Sequence, residues 1–147
     1  MTHRIYLVDD DRFLLSLYAA KFKDADYTAT SFGGAEELLT QLRKDAAGAS
    51  APDAILLDLI MPGVDGFTAL ETIRKEELAK GAKIIILSNE GQDAEIDRAK
   101  QLHADGYIIK ASAIPSEVLA EVARIVGPTS PVGAPSTQGA VGATITP

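Results

Sequence analysis

Four short apolar runs punctuate the chain at residues 5–8, 54–57, 84–87 and 107–109, each rich in Ile, Val or Leu and without polar alternation. A run that is apolar at every position predicts a strand buried on both faces, as in a parallel sheet covered by helices. A weaker strand is predicted over residues 28–32. Between the strands the apolar positions change to helical spacing: Leu14, Leu17, Tyr18 and Phe22; Leu38, Leu39 and Leu42; Phe67, Leu70 and Ile73; Ile96, Ala99 and Leu102; Val118, Leu119, Val122 and Val126. Strand and helix therefore alternate five times, which predicts a doubly wound α/β domain with right-handed crossovers. The turn chemistry agrees. Residues 62–66 read as a turn feeding a helix, and Pro115 with Ser116 before Glu117 suits a first helical turn.

Residues 127–147 are rich in Gly, Pro, Ala, Ser and Thr and carry no charge. They are expected to form a flexible tail or linker, leaving residues 1–126 as the folded domain. A chain of 147 residues with 46% hydrophobic and 24% charged residues suits one core. No apolar run reaches the roughly 20 residues of a membrane helix, and residues 1–8 meet Asp9 too soon for a secretory signal, so the cytoplasm is expected. A formal charge of -7 with no basic cluster argues against direct binding of nucleic acid. Without cysteine there is no thiol chemistry, and His3 and His103 have no ligand-like spacing.

The chemistry is concentrated where the buried strands end: Asp9 and Asp10 after the first, Asp58 after 54–57, Ser88 after 84–87 and Lys110 after 107–109. A parallel sheet brings these to one edge, and in doubly wound folds ligands collect there, where the strand order reverses. Three carboxylates in one crevice repel one another unless a cation lies among them. Mg²⁺, which takes one or two carboxylates, several waters and a phosphate oxygen, fits this donor set. A carboxylate that attacks phosphorus gives an aspartyl phosphate, a reaction governed by positioning and charge neutralisation. Lys110 is placed to supply a second cation and Ser88 a hydroxyl donor.

The runs Tyr6-Leu7-Val8-Asp9-Asp10-Asp11, Leu56-Leu57-Asp58-Leu59-Ile60-Met61-Pro62-Gly63-Val64-Asp65-Gly66, Ile86-Leu87-Ser88 and Gly106-Tyr107-Ile108-Ile109-Lys110 together resemble the signature of response-regulator receiver domains. The resemblance covers about residues 4–126. It implies a flavodoxin-like fold with strand order 2-1-3-4-5. It also implies phosphoryl transfer to Asp58 from a sensor histidine kinase or phosphotransfer protein, and control of a downstream effector. Asp10 is then expected to bind Mg²⁺ directly, Asp9 to act through water, and the backbone carbonyl of Ile60 to complete the metal site with Asp58. Ser88 and Tyr107 match the pair that reads phosphorylation. The output face is expected on the fourth helix, fifth strand and fifth helix, with Asp93, Glu95, Arg98, Lys100, Gln101, Tyr107 and Glu121 at its surface. Such a protein is a phosphoacceptor, catalysing at most its own phosphorylation and dephosphorylation.

In such domains a cis-proline usually follows the lysine, whereas Ala111 follows Lys110 here, and a non-proline cis bond costs roughly 3 kcal/mol. Ile60 offers no side-chain hydrogen bond to a hydrolytic water, whereas Glu90, two residues after Ser88, could, and a long-lived phosphorylated form is expected unless a phosphatase acts. Two readings compete. One is a receiver-like binding module that works without phosphorylation. The other is a phosphatase resembling the haloacid dehalogenase superfamily, with Asp9 as nucleophile and Asp9-Asp10-Asp11 as its Asp-x-Asp motif. The second leaves Asp58 without a role and lacks the acidic pair expected after Lys110. A nucleotide-binding module is disfavoured because Gly33-Gly34 stands without a glycine-rich phosphate loop. Taken alone, Asp11 reads as a helix-start acid, Ser88 as a strand-end hydroxyl, Lys110 as a solvated charge and Tyr107 as core packing.

Overall fold

The computed structural model describes residues 3–59, 63, 65–88, 93–110 and 113–127. The elements run β1 His3–Val8, α1 Arg12–Asp24, β2 Tyr27–Phe32, α2 Ala35–Ala47, β3 Ala54–Asp58, α3 Gly66–Lys75, β4 Lys83–Ser88, α4 Asp93–Gln101, β5 Gly106–Ile109 and α5 Pro115–Val126. All five strands are parallel, in the order β2-β1-β3-β4-β5. This is the doubly wound order predicted from the sequence. The order reverses between β1 and β3, so the crevice of the sheet opens where Asp9, Asp10 and Asp58 stand.

The central strands are buried on both faces, as their unbroken apolar runs require. Tyr6, Val8, Ile55, Leu57, Ile84 and Ile86 pack against α2 and α3, while Ile5, Leu7, Leu56, Ile85 and Leu87 pack against α1 and α5. The edge strand β2 has a polar middle and buries only its two ends, Tyr27 and Phe32. One helix face differs from expectation. In α1 the buried residues are Leu15, Tyr18 and Phe22, at i, i+3 and i+7, while Leu17 is 41% exposed. Leu17 sits about 100° around the helix from Tyr18 and so falls off the stripe that Tyr18 and Phe22 define. Leu102 packs against the core from just beyond the end of α4.

The helix starts nearest the crevice are firmly capped. The Asp11 carboxylate accepts the Leu14 N–H at 3.1 Å and the Asp65 carboxylate accepts the Thr68 N–H at 2.8 Å, holding the first turns of α1 and α3. In α5, Pro115 opens the helix and the Glu117 carboxylate reaches back to the Ile114 N–H at 3.0 Å. Gly66 is required by packing. A Cβ there would collide with the carbonyl oxygen of Asp58 and come within 2.7 Å of the Leu59 Cα, so α3 starts directly against the backbone of Asp58. The expected tail, residues 127–147, lies outside the described residues from position 128 onward.

Candidate functional site

Asp9, Asp58 and Ser88 are the buried polar and charged residues of the described chain, with 1%, 3% and 0% exposure, and all three stand at strand ends on one edge of the sheet. Burying a carboxylate is costly unless it is paired. Here the pairing group is Lys110, whose side chain is 13% exposed: its Nζ lies 2.7 Å from Asp9 Oδ2 and 3.6 Å from Asp58 Oδ2. Burial alone would lower the ammonium's pKa, but the close carboxylates of Asp9 and Asp58 outweigh burial, and the pKa lies above the usual lysine value. Lys110 is thus a held cation, not the solvated charge that a lone lysine suggests.

Asp9 is oriented from a second side, because its Oδ1 accepts the Asp11 N–H at 2.9 Å. Its Oδ2 is buried and faces Lys110 outside good hydrogen-bond geometry, leaving acceptor capacity turned into the crevice. Asp10 is exposed at the open side. One oxygen from each of Asp9, Asp10 and Asp58 lies within 4.8 Å of the others, the spacing that a single cation can span. Hard carboxylate oxygens, a buried oxygen with unused capacity and one acid open to solvent fit Mg²⁺. The expected carbonyl ligand, Ile60, lies outside the described residues, as do Glu90 and Ala111.

Beside the carboxylates lies a second group. Ser88, the last residue of β4, and Tyr107 of β5 both direct their hydroxyls at Glu95 Oε1 on α4, at 3.5 and 3.1 Å. Glu95 and Tyr107 are half-buried, so these two members of the expected output surface face one another. Asp93, Arg98, Lys100 and Gln101 are exposed as expected, and Glu121 is half-buried and bonded to Arg124. The sequence held a signal for Glu95: it lies four residues before buried Ala99, on the same helix face. Tyr18 adds a further buried phenol near the site. Its pKa is raised, by burial first, while Lys110 pulls it down and Asp9, Asp58 and Asp11 push it up.

A single buried carboxylate at the end of β3, an acidic pair after β1, a hydroxyl after β4 and a lysine after β5 all meet at one crevice, and the sequence profile described as "Response regulator receiver domain" matches residues 5–123. The chain belongs to the response regulator receiver family. This receiver domain is 34% identical over 127 residues to the transcriptional regulatory protein BaeR of Escherichia coli O6:H1, a match covering 85% of this chain and 48% of that protein. It is 28% identical over 122 residues to the DNA-binding response regulator MtrA of Mycolicibacterium paratuberculosis, covering 83% of this chain and 50% of that protein. The chain thus spans about half the length of these curated relatives. In fold it is similar to the chemotaxis protein CheY4 of Vibrio cholerae, with a TM-score of 0.75 at 22% identity, covering 85% of this chain and 99% of that one. Family membership removes the haloacid dehalogenase reading, and Asp11, which that reading needs at the catalytic centre, instead caps α1.

Proposed function

We propose that this receiver domain accepts a phosphoryl group on Asp58 in a Mg²⁺-dependent reaction and uses it to reset the surface formed by α4, β5 and α5. The observation that carries this reading is the buried Asp58 carboxylate, 3.6 Å from the Lys110 ammonium and grouped with Asp9 and Asp10. A carboxylate oxygen of Asp58 forms the new P–O bond. The P–N bond of a phosphohistidine on a sensor kinase or phosphotransfer protein breaks, and the leaving imidazole takes a proton from solvent.

Asp10, Asp58 and, through water, Asp9 would hold Mg²⁺, with the Ile60 carbonyl as the further ligand. When bound, the ion neutralises charge on the phosphoryl oxygens. Lys110 is already between Asp9 and Asp58 and needs only a small movement to follow the charge as it passes onto the phosphoryl group. Ser88 supplies a hydroxyl to another oxygen, and Tyr107 changes place in response. On this reading residues 1–126 are the receiver in the cytoplasm, residues 127–147 are a tail or linker, and a downstream effector delivers the output. No helix of the described residues is long and apolar enough to cross a membrane.

Intact-protein mass after incubation with Mg²⁺ and acetyl phosphate tests the reading. One phosphoryl adduct that needs Mg²⁺ and is absent from Asp58→Asn supports it. An unmodified protein that still regulates a partner would instead favour a binding module that works without phosphorylation.

A further inference from the structure

Ser88 and Tyr107 do not meet each other alone. Both reach one oxygen, Glu95 Oε1, from different strands: Ser88 Oγ from the end of β4 at 3.5 Å and the Tyr107 hydroxyl from β5 at 3.1 Å. Arg98, one turn further along α4, is directed elsewhere, with its guanidinium 4.4 Å from the Phe67 ring centroid and 3.5 Å from Glu71. Glu95 is therefore left to the two hydroxyls. A serine hydroxyl carries a single proton and makes one strong donation at a time. If Ser88 donates to a phosphoryl oxygen on Asp58, it must leave Glu95.

We propose that Glu95 is a third member of the switch, a positioning residue that holds Ser88 and Tyr107 in the unphosphorylated state and that the phosphoryl group displaces. This rests on the reading of Asp58 as phosphoacceptor. The added negative charge at Asp58 repels the Glu95 carboxylate across Ser88, so arrival of the phosphoryl group weakens both contacts together. Tyr107 then loses the Glu95 contact that ties its hydroxyl to α4. Tyr107 also lines a cavity of about 130 Å³ between α4 and β5, with Ile96, Ala99 and Ala104 and the charged Lys100 and Asp105, which is room for a changed position. A carboxylate on α4 thus links the hydroxyl beside the reacting group to the aromatic ring on the output face. Removing it biases the equilibrium toward the released arrangement without any phosphoryl group.

The test is ¹⁹F NMR of the full chain labelled with 3-fluorotyrosine, its Tyr107 signal assigned by Tyr107→Phe. Spectra of the wild type, Glu95→Gln and Glu95→Ala are compared with and without beryllofluoride and Mg²⁺, and acetyl phosphate labelling is followed in parallel. In the free protein Glu95→Ala should move the Tyr107 signal at least halfway toward its beryllofluoride position. Glu95→Gln, which keeps a neutral acceptor, should move it less. Labelling should be at least threefold faster in Glu95→Ala, with that gain lost when Ser88→Ala is added. A Glu95→Ala signal that coincides with the wild type in the free protein overturns the proposal. Failure of every variant to take an adduct defeats the phosphoacceptor reading and the displacement step with it, while the free-protein spectra still decide whether Glu95 holds Tyr107.

Discussion

The two ends of the sheet treat charge in opposite ways. At the amino-terminal end, polar groups answer one another in a closed network. Arg4 donates to Ser50 Oγ and the Ala51 carbonyl, both at 2.9 Å, and to the Tyr6 hydroxyl at 3.1 Å. Tyr6 donates in turn to Asp45, whose other oxygen accepts from Gln41 at 2.9 Å. The Asp53 carboxylate accepts the Arg4 N–H at 2.7 Å, joining β1 to the start of β3. At the carboxyl-terminal end, three carboxylates crowd within 4.8 Å and Lys110 contacts two of them. At the first end Arg4, Tyr6, Asp45 and Asp53 satisfy one another, although the buried Tyr27 hydroxyl beside them has no hydrogen-bond partner among the described residues. The second gathers more negative charge than Lys110 alone balances, which suits it to the cation and phosphoryl group proposed for it.

The largest expected effect separates the ends outright. Asp58→Asn should abolish the phosphoryl adduct while leaving the fold intact, whereas Tyr6→Phe should leave the adduct unchanged, both read by intact mass. Next in size is metal binding. Mg²⁺ at about 100 times its dissociation constant should raise unfolding stability by about 2.7 kcal/mol. That gain, read by urea denaturation, should largely vanish in Asp10→Asn and in Asp58→Asn, and an equal gain in either variant would separate the metal from these acids.

Gly66→Ala should disturb the carboxyl-terminal end alone, because its Cβ meets the backbone of Asp58 and Leu59. Forced overpacking of this kind typically costs about 1–3 kcal/mol. It should also slow adduct formation, since the reacting carboxylate shifts with its backbone. Tyr6→Phe should cost about 1.5–3 kcal/mol in denaturation, because its hydroxyl bonds two charged groups, the Asp45 carboxylate and the Arg4 guanidinium.

The smallest effect is alkaline. The pKa of Lys110 is raised, burial opposing Asp9 and Asp58, and those of Tyr6, Tyr18 and Tyr27 are raised chiefly by burial. For groups raised in the fold, the stability they contribute is complete below their unfolded values and is lost as pH rises through the folded ones. Stability should therefore fall as pH rises above about 10, and Lys110→Met should show a shallower fall over that window.

Much of this was legible in the sequence for a physical reason. Strands buried on both faces must be apolar throughout, so 5–8, 54–57, 84–87 and 107–109 mark themselves, and parallel order then fixes that Asp9, Asp58, Ser88 and Lys110 share an edge. What was not legible depends on angles and reach. Leu17 is as apolar as Leu15, and only its rotation about α1 leaves it exposed. The spacing of Glu95 from Ala99 puts it on the inward side of α4, but only with α4 set against β5 does its carboxylate meet both hydroxyls. Nor does spacing say that Lys110 sits nearer to Asp9 than to Asp58.

On the proposed function Asp58, and not its neighbour Asp9, carries the phosphoryl group. Borohydride reduction after acetyl phosphate treatment converts an aspartyl phosphate to homoserine, and peptide mass mapping then locates it. Homoserine at position 58 alone is the predicted result. Homoserine at position 9, or turnover of a phosphomonoester with no modification at 58, would contradict the account.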